Sequence, residues 1–307
     1  EKAAARFAIG CMAGAIRGRC ESANTEKIKM RRLYIHFTAL MFSVLIASAV
    51  ESIDPTAMPQ GTEQVDIYLL LGQSNMKGRG ALPTEQSTDS RIIHMNMGND
   101  QWYEAVHPLH KAGVPDLIDG SDQAGVGPGL VFAQAMLAKD SATRIALVPC
   151  AHGGSWIQLW GKNGRFYTPA LERAKQALAD FPDGTARIAG VLWLQGESDS
   201  LENRYAVYDA KLTDLVQRLR VDLNEPELPF VACTIGTFIK PKGKYFYVTE
   251  INADLLALPE TLPFTACVDA RDLKDGHIGD FMHYNTASQE VIGARFAEEF
   301  KSLIVKE

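Results

Sequence analysis

Six apolar runs of strand length recur along the chain after residue 61 and constrain the fold more than any other feature. They cover residues 66–71, 91–96, 144–150, 188–195, 229–235 and 264–268. Continuous apolar runs of this length are typical of strands that are covered on both faces. Strands that alternate with helical segments form mainly parallel sheets with helices on both sides. We therefore predict an α/β fold in a single domain from residue 61 to residue 307.

Three segments between or after these runs carry apolar residues at helical spacing. Thr168-Pro169 is a pair typical of a helix start, and Pro182 and Gly184 are expected to stop that helix. Thr286 is expected to cap the third segment. The apolar positions are Leu171, Ala174, Leu178 and Phe181 in the first segment, Tyr205, Tyr208, Leu212, Leu215, Leu219 and Leu223 in the second, and Ile292, Phe296, Phe300 and Leu303 in the third.

The N-terminal part of the chain has the pattern of a secretory signal peptide. A basic Met30-Arg31-Arg32 segment precedes an apolar run at 33–50, which contains Ala47-Ser48-Ala49 as a small-residue cleavage site. An uncleaved membrane anchor is the alternative, because the run approaches the length of a bilayer span. We expect residues 1–60 to comprise an upstream extension, a signal peptide at about 30–49 and a linker, and the mature protein to be secreted or periplasmic.

Charge and cysteine content exclude two other classes of function. The formal net charge is -6 and no basic run lies in the body of the chain, so nucleic acid is not an expected partner. The cysteines after the leader are Cys150, Cys233 and Cys267, which have no metal-binding spacing. They are expected to be buried core residues, with one disulfide among them left open.

Polar, glycine-rich segments follow three of the predicted strands directly. They are residues 72–76 (Gly-Gln-Ser-Asn-Met), 151–155 (Ala-His-Gly-Gly-Ser) and 195–199 (Gln-Gly-Glu-Ser-Asp). Ligands of open parallel sheets bind beyond the carboxyl ends of the strands, so all three segments are expected to meet at one edge. Residues 98–128 show no periodicity and are expected to form a long loop at this functional end.

Ser74 is the candidate nucleophile. A serine hydroxyl needs a base that removes its proton, and that base is usually a histidine oriented by a carboxylate. Asp280 and His283 supply this pair near the C-terminus, in the spacing Asp-x-x-His. No Gly-x-Ser-x-Gly motif is present, which argues against a lipase of the α/β-hydrolase type.

Acyl transfer also requires hydrogen-bond donors for the oxyanion that forms on the carbonyl oxygen. Gly153 and Gly154 allow a close approach of the backbone, and Gln195 offers a side-chain N–H at a strand end. The backbone N–H of Ser74 would supply a further donor. The choice of Gln195 over its neighbours in the same segment is open, as is the choice of Asp280 over Asp272 or Asp275 as the acid.

The four segments together resemble the SGNH hydrolases, in the branch of sialate O-acetylesterase-like proteins and plant-type acetylxylan esterases. They occur in the expected order over nearly the whole mature chain. The resemblance implies a three-layer α/β/α flavodoxin-like sandwich, removal of O-acetyl groups from carbohydrate, and no metal or other cofactor. It implies catalysis by Ser74 and His283, and it adds Gln73, Asn75 and Glu197 to the candidate oxyanion or substrate-binding residues. Acetylated xylan and O-acetylated sialic acid are not distinguished.

Several other interpretations of these residues remain open. Ser74 alone could be a turn serine that caps a helix. His107, His110, His152 and His277 compete with His283 as the base, and His277, Asp280 and His283 could be metal ligands. Glu197 and Asp199 could be a glycosidase pair, although that would leave Ser74 without a role. A catalytically silent carbohydrate-binding protein is the alternative to an enzyme. The aromatic candidates for stacking on a sugar are Trp102, Trp156, Trp160 and Tyr167.

Overall fold

A seven-stranded sheet forms the centre of the fold in the computed structural model, which describes residues 51–111, 116–117, 120–137, 142–239 and 247–304. Residues 52–307 form one compact unit. The order of strands across the sheet is β3-β2-β4-β1-β5-β6-β7. The strands are β1 (Gln64–Gly72), β2 (Ile92–Met95), β3 (Trp102–Glu104), β4 (Thr143–Pro149), β5 (Ala186–Leu194), β6 (Phe230–Cys233) and β7 (Thr265–Val268). The predicted α/β fold with a mainly parallel sheet is confirmed.

Strand β1 lies at the middle of the sheet and positions the site. It pairs in parallel with β4 on one side and with β5 on the other, so that Leu70 lies opposite Pro149 and Gly72 opposite Leu194. The three strands therefore end at the same edge. Only β3 runs antiparallel, and it lies at the edge of the sheet, where it pairs with β2. From Ile67 to Gly72, β1 is buried, as expected for a central strand covered by helices on both faces.

Among the described residues, six α-helices connect or flank the strands. They are α1 (Ser74–Lys77), α2 (Gly129–Leu137), α3 (Tyr167–Ala179), α4 (Tyr208–Leu223), α5 (Val248–Thr261) and α6 (Thr286–Ile304). Side chains alternate between the two faces of a strand, and each face has its own aromatic cluster. Tyr68 of β1 packs edge-to-face with Phe132 of α2 and Phe300 of α6. Trp193 of β5 packs edge-to-face with Trp160.

The structure corrects three details of the predicted helices. Helix α3 begins at Tyr167 after Phe166, so Thr168 lies inside the first turn and does not cap the helix. Leu178 is 40% exposed, because α3 buries the alanines on its inner face instead. At the start of α6, the side chain of Asn285 accepts the N–H of Ser288 and takes the capping role predicted for Thr286.

The long segment at 98–128 is less irregular than predicted, because β3 lies within it. Strand β3 was not predicted, since three residues are too few to show a period. Helices α2 and α5 were not predicted either. The three cysteines Cys150, Cys233 and Cys267 are all free thiols, so the open possibility of a disulfide among them is not realised. The predicted signal peptide lies outside the described residues; within them, no helix has the length and apolar character needed to cross a membrane.

Candidate active site

The segments that follow β1, β4 and β5 are joined by hydrogen bonds at the carboxyl edge of the sheet. The carbonyl of Gly72 accepts the N–H of His152 at 3.1 Å and the hydroxyl of Ser155 at 3.2 Å. The side-chain oxygen of Gln73 accepts the amide of Gln195 at 3.1 Å. The structure therefore brings together the three polar segments that the sequence predicted at one edge.

Glycine at position 72 lets the chain leave β1 and turn into α1. Its φ is +137°, a conformation that residues with a side chain rarely adopt. A Cβ atom at this position would lie 2.2 Å from the carbonyl oxygen of Leu194 on the neighbouring strand. The sharp turn places the start of α1, and with it Ser74, at the carboxyl edge of the sheet. Ser74 is itself 2% exposed.

Ser74, His283 and Asp280 form a continuous chain of hydrogen bonds. His283 Nε2 lies 2.9 Å from Ser74 Oγ, and His283 Nδ1 lies 2.6 Å from Asp280 Oδ2. A ring that donates its Nδ1–H to the carboxylate leaves Nε2 free to accept the serine proton. The geometry is that of a nucleophile, a base and an orienting acid.

Asp280 is held by its own turn as well as by the histidine ring. Its Oδ1 accepts the backbone N–H of Met282 and of His283, both at 2.9 Å. Partial burial of Asp280 opposes its ionisation, but the hydrogen bonds from His283 and from Met282 outweigh that effect and hold the pKa of this carboxyl below its usual value. Asp280 is therefore an anion at neutral pH.

Gln195 lies in the site region but does not face the Ser74 hydroxyl as a free donor. Its Nε2 lies within hydrogen-bond distance of three internal acceptors, Gln73 Oε1, the Ser155 carbonyl and Asp199 Oδ2. The two N–H bonds of the Gln195 amide cannot donate to these three acceptors and to an oxyanion as well. The end of β5 thus directs the fully buried Gln195 amide inward, where it ties the segments together, rather than toward the oxyanion role predicted for it.

Gln73, Asn75 and Glu197 also face the protein interior. Gln73 Oε1 accepts the backbone N–H of Ser198 at 3.3 Å in addition to the Gln195 amide. Asn75 donates to Glu197 Oε1 and to the carbonyl of Met282. All three candidate substrate-binding side chains are at most 1% exposed. The structure places them as the frame of the site rather than in its open face.

The two glycines after β4 differ in their hydrogen bonding. The N–H of Gly153 donates to Asp116 Oδ1 at 2.9 Å, and a Cβ on Gly153 would collide with that carboxylate. Gly153 is thus a positioning element and not an oxyanion donor. Gly154 has a φ of +72°, and within the described residues neither its N–H nor that of Ser74 has a protein acceptor.

Asp116 is a buried residue that sequence reasoning missed. Its carboxylate contacts Lys77 Nζ at 3.0 Å and the guanidinium of Arg79, so two cations balance its charge. Lys77 also contacts Asp122 at 3.1 Å. The ion pairs connect α1 to the Gly153-Gly154 segment. Asp116 lies in the aperiodic stretch at 98–128, where no sequence pattern marks one aspartate among several.

Glu197 and Asp199 are buried carboxyls that bind protein groups. Burial raises the pKa of Glu197 to about 7, against the opposing effect of the hydrogen bond from Asn75. Burial raises the pKa of Asp199 to about 6, against hydrogen bonds from Gln195 and from the N–H of Ile157. A glycosidase pair has to reach its substrate from both sides of a bond. These two carboxyls are at most 1% exposed, which removes the glycosidase interpretation.

The hydrogen bond to Ser74 Oγ comes from His283, and the competing histidines have other surroundings. His107 is buried. His110 is buried at 2% exposure, and His152 stacks on Phe166 with ring centroids 4.0 Å apart. His277 accepts the N–H of Gly279 through Nδ1. Within the described part of the chain, no group of three or more His, Cys, Asp or Glu residues could hold a metal ion.

Of the aromatic residues considered for a sugar platform, three belong to the core. Trp102, Trp160 and Tyr167 are at most 3% exposed. Trp156 is half-buried, and the guanidinium of Arg204 lies 4.2 Å from its ring centroid. Trp156 is thus the one of the four that retains an accessible surface.

Comparison with known proteins yields one family and several related structures. The model of a family described as "Carbohydrate esterase, sialic acid-specific acetylesterase" matches residues 64–302. A probable carbohydrate esterase of Arabidopsis thaliana is 34% identical over 255 residues, which cover 77% of this chain and 90% of the plant protein. An Arabidopsis thaliana X-ray structure has a TM-score of 0.66 at 32% identity and covers 78% of this chain and 98% of its own.

Two less similar structures have the same fold. The crystal structure of NanS has a TM-score of 0.60 at 18% identity and covers 80% of this chain and 99% of its own. A carbohydrate acetylesterase from Xanthomonas citri has a TM-score of 0.58 at 18% identity and covers 79% of this chain and 57% of its own. The fold is therefore that of the SGNH hydrolases.

Proposed function

Because this chain belongs to the sialic acid-specific acetylesterase family of carbohydrate esterases, we propose that it removes O-acetyl groups from carbohydrate through an acetyl-enzyme on Ser74. The observation that carries this proposal is the chain of contacts from Ser74 Oγ through the ring of His283 to Asp280. A serine that only caps a turn does not need a histidine base at this distance, so the geometry favours a nucleophilic role for Ser74.

In the first half of the reaction, His283 Nε2 takes the proton of Ser74 as Oγ attacks the acetyl carbonyl carbon. The carbonyl π bond breaks and its electron pair moves to oxygen. When the tetrahedral intermediate collapses, the bond to the sugar oxygen breaks and His283 gives its proton to that oxygen. The sugar leaves, and the acetyl group stays on Ser74.

In the second half, His283 takes a proton from water, and the resulting hydroxide attacks the acetyl carbon. Collapse of this intermediate releases acetate and returns the proton to Ser74 Oγ. Asp280 remains an anion throughout and stabilises the imidazolium that forms in each half, in keeping with its lowered pKa.

The backbone N–H groups of Ser74 and Gly154 are the proposed oxyanion donors. Support comes from their lack of a protein acceptor within the described residues and from the hydrogen bond between Asp116 and Gly153 that holds the adjoining peptide. A donor that is fixed before the reaction does not need to reorganise when charge develops on the carbonyl oxygen.

The decisive experiment measures hydrolysis of p-nitrophenyl acetate by the wild type and by Ser74→Ala. We expect the substitution to lower kcat by at least about a thousandfold, because no other group takes over the nucleophile's role. Ser198→Ala is a matched control, since Ser198 is also buried and also follows a central strand. It should stay within about threefold of the wild type. Unchanged turnover in Ser74→Ala would rule out the proposed nucleophile.

The substrate is proposed at the level of acetylated carbohydrate, with acetylated xylan and O-acetylated sialic acid as the two candidates. Acetate release from each, at equal concentrations of ester, separates them. A protein that hydrolyses neither and does not react with a fluorophosphonate probe would instead be a silent carbohydrate-binding protein. We also propose export, from the signal-like segment at about 30–49; N-terminal sequencing of the protein recovered outside the cytoplasm tests it.

A further inference from the structure

The side chain of Asn75 spans the backbone on both sides of His283. Its Nδ2 donates to the carbonyl of Met282 at 3.2 Å, and its Oδ1 accepts the N–H of Tyr284 at 3.0 Å. Asn75 is fully buried and directly follows Ser74 in the chain. One residue therefore links the nucleophile's turn to the two neighbours of the base, across more than 200 positions of sequence.

Glu197 fixes the orientation of the Asn75 amide. The Asn75 Nδ2 group also donates to Glu197 Oε1, so the amide nitrogen faces Glu197 and the amide oxygen faces the N–H of Tyr284. The main-chain carbonyl of Asn75 in turn accepts Gln289 Nε2 at 2.9 Å. Asn75 is thus held from the end of β5 and from α6, and it has one orientation in which every hydrogen bond is made.

The loop that carries His283 is held internally by hydrogen bonds from the N–H of Ile278 to the carbonyl of His283 and from the N–H of Asn285 to the carbonyl of Gly276. It lies between β7 and α6, outside regular secondary structure, and Phe281 within it has a φ of +58°. Asp280 orients the ring, but its side chain is 37% exposed and belongs to the same loop. It therefore cannot register the loop against α1. The Asn75 hydrogen bonds join α1 to the loop backbone on both sides of His283.

We propose that Asn75, anchored by Glu197, is a positioning residue that holds His283 within proton-transfer distance of Ser74. The proposal rests on the proposed function, because it assigns a role to the contact between those two residues. Proton transfer between oxygen and nitrogen requires a separation near the observed 2.9 Å. A displacement of the loop by about 1 Å would lower the rate by about a hundredfold.

The first test measures kcat and KM of Asn75→Ala with p-nitrophenyl acetate, with rates divided by the sites that a fluorophosphonate probe labels at completion. We expect kcat per labelled site to fall by about a hundredfold and KM to change by less than about threefold. The rate of fluorophosphonate labelling should fall in parallel, since labelling also needs an activated Ser74.

Asn252→Ala is the matched control. Asn252 is a buried asparagine on α5 that also holds the backbone from both sides, with Oδ1 accepting the N–H of Ile235 and Nδ2 donating to its carbonyl. Its removal deprives the protein of two hydrogen bonds of the same kind, away from Ser74 and His283. We expect a similar loss of thermal stability and a kcat per labelled site within about twofold of the wild type.

A rescue experiment tests the link between Asn75 and Glu197 without removing side-chain volume. Asn75→Asp retains an acceptor for the N–H of Tyr284 but sets a second carboxyl against Glu197, so kcat should fall. In the double variant Asn75→Asp, Glu197→Gln, the introduced amide can donate to the introduced carboxylate. We expect the kcat of the double variant to exceed that of Asn75→Asp by at least about tenfold.

Two results would overturn the proposal: a kcat per labelled site of Asn75→Ala within about twofold of the wild type, or equal losses in Asn75→Ala and Asn252→Ala. If Asn75→Ala does not fold, the rescue pair decides, and a double variant no faster than Asn75→Asp refutes the anchoring by Glu197. Activity that survives in Ser74→Ala refutes the proposed function itself. An inactive Ser74→Ala beside a fully active Asn75→Ala refutes only the role of Asn75.

Discussion

At the scale of single residues, Asp280 illustrates how a short spacing can build half of a catalytic arrangement. Two residues separate Asp280 from His283, and the turn between them folds back so that Oδ1 accepts two backbone N–H groups while Oδ2 meets His283 Nδ1. The carboxylate is thus oriented by local contacts alone. This is why the Asp-x-x-His spacing could be recognised in the sequence.

Replacing Asp280 by Asn should separate orientation from charge. Asp280→Asn can keep the acceptor for the two backbone N–H groups, but its NH₂ group would face Nδ1 and favour the ring tautomer with the proton on Nε2. That tautomer cannot accept the Ser74 proton. We expect kcat/KM for p-nitrophenyl acetate to fall by about 10²- to 10⁴-fold.

The matched control for this prediction is Asp272→Asn. Asp272 was an alternative candidate for the acid, but its carboxylate pairs with Arg295 at 2.7 Å. We expect its substitution to leave kcat/KM within about twofold of the wild type. A large loss in Asp272→Asn together with a small one in Asp280→Asn would assign the acid to Asp272 instead.

At the scale of secondary structure elements, the junction of β1 and α1 depends on Gly72. Gly72→Ala would force a Cβ against the carbonyl of Leu194 in a backbone conformation that alanine rarely adopts. We expect the free energy of unfolding in urea to fall by about 3 kcal/mol or more. Gly184→Ala is the control: Gly184 also has positive φ, at +78°, but has no atom within 4 Å of the added Cβ. Its loss should be only about 1 to 2 kcal/mol, from the backbone conformation alone.

The strands and helices that could be predicted are those with a clear pattern of apolar residues in their own sequence. Six strands were identified because each is a continuous apolar run, and helix α4 because its apolar stripe spans four turns. Strand β3 was not predicted because it has only three residues, which pair with β2 at the edge of the sheet. The cap of α6 was predicted at Thr286. Its neighbour Asn285 also has a capping side chain, and the residue at which the helix begins decides which of the two caps it.

The site residues likewise divide into those that a local sequence motif identifies and those whose roles depend on contacts with other segments of the chain. Ser74, Asp280 and His283 were identified from local motifs that the chemistry requires. The direction of the Gln195 amide could not be predicted, because it depends on acceptors from three different segments. The contacts of Asn75 with Met282 and Tyr284 could not be predicted either, since its partners lie more than 200 positions away.

At the scale of the whole molecule, buried titratable groups couple stability to pH in two opposite directions. Burial lowers the pKa of His94, His107 and His152 to about 4 and that of His110 to about 3. These histidines are neutral in the folded protein, whereas in the unfolded chain they gain protons below about pH 6.5. Their contribution to stability is present above pH 6.5 and is lost as the pH falls toward 4.

Glu197 and Asp199 make stability depend on pH in the opposite direction. Their folded pKa values, about 7 and about 6, lie above those of the unfolded chain, so the folded protein holds protons that the unfolded chain has released. Their contribution is present below about pH 4.5 and is lost as the pH rises through 6 and 7. Asp254, whose pKa burial raises to about 6, acts in the same direction as these two carboxyls. Four histidines oppose three carboxyls, so the histidines set the sign of the dependence between about pH 4.5 and 6.5.

We therefore predict that the free energy of unfolding rises with pH from about 4.5 to 6.5, and that two substitutions change this slope in opposite directions. His110→Gln removes a group that takes up a proton on unfolding, so the slope should become shallower by up to about 1.4 kcal/mol per pH unit. Glu197→Gln removes a group that releases a proton on unfolding, so the slope should become steeper by at most the same amount. Urea denaturation at half-unit intervals of pH measures both slopes against the wild type. Slopes that shift in the same direction for the two variants would show that burial does not set the charge states of these groups in the folded protein.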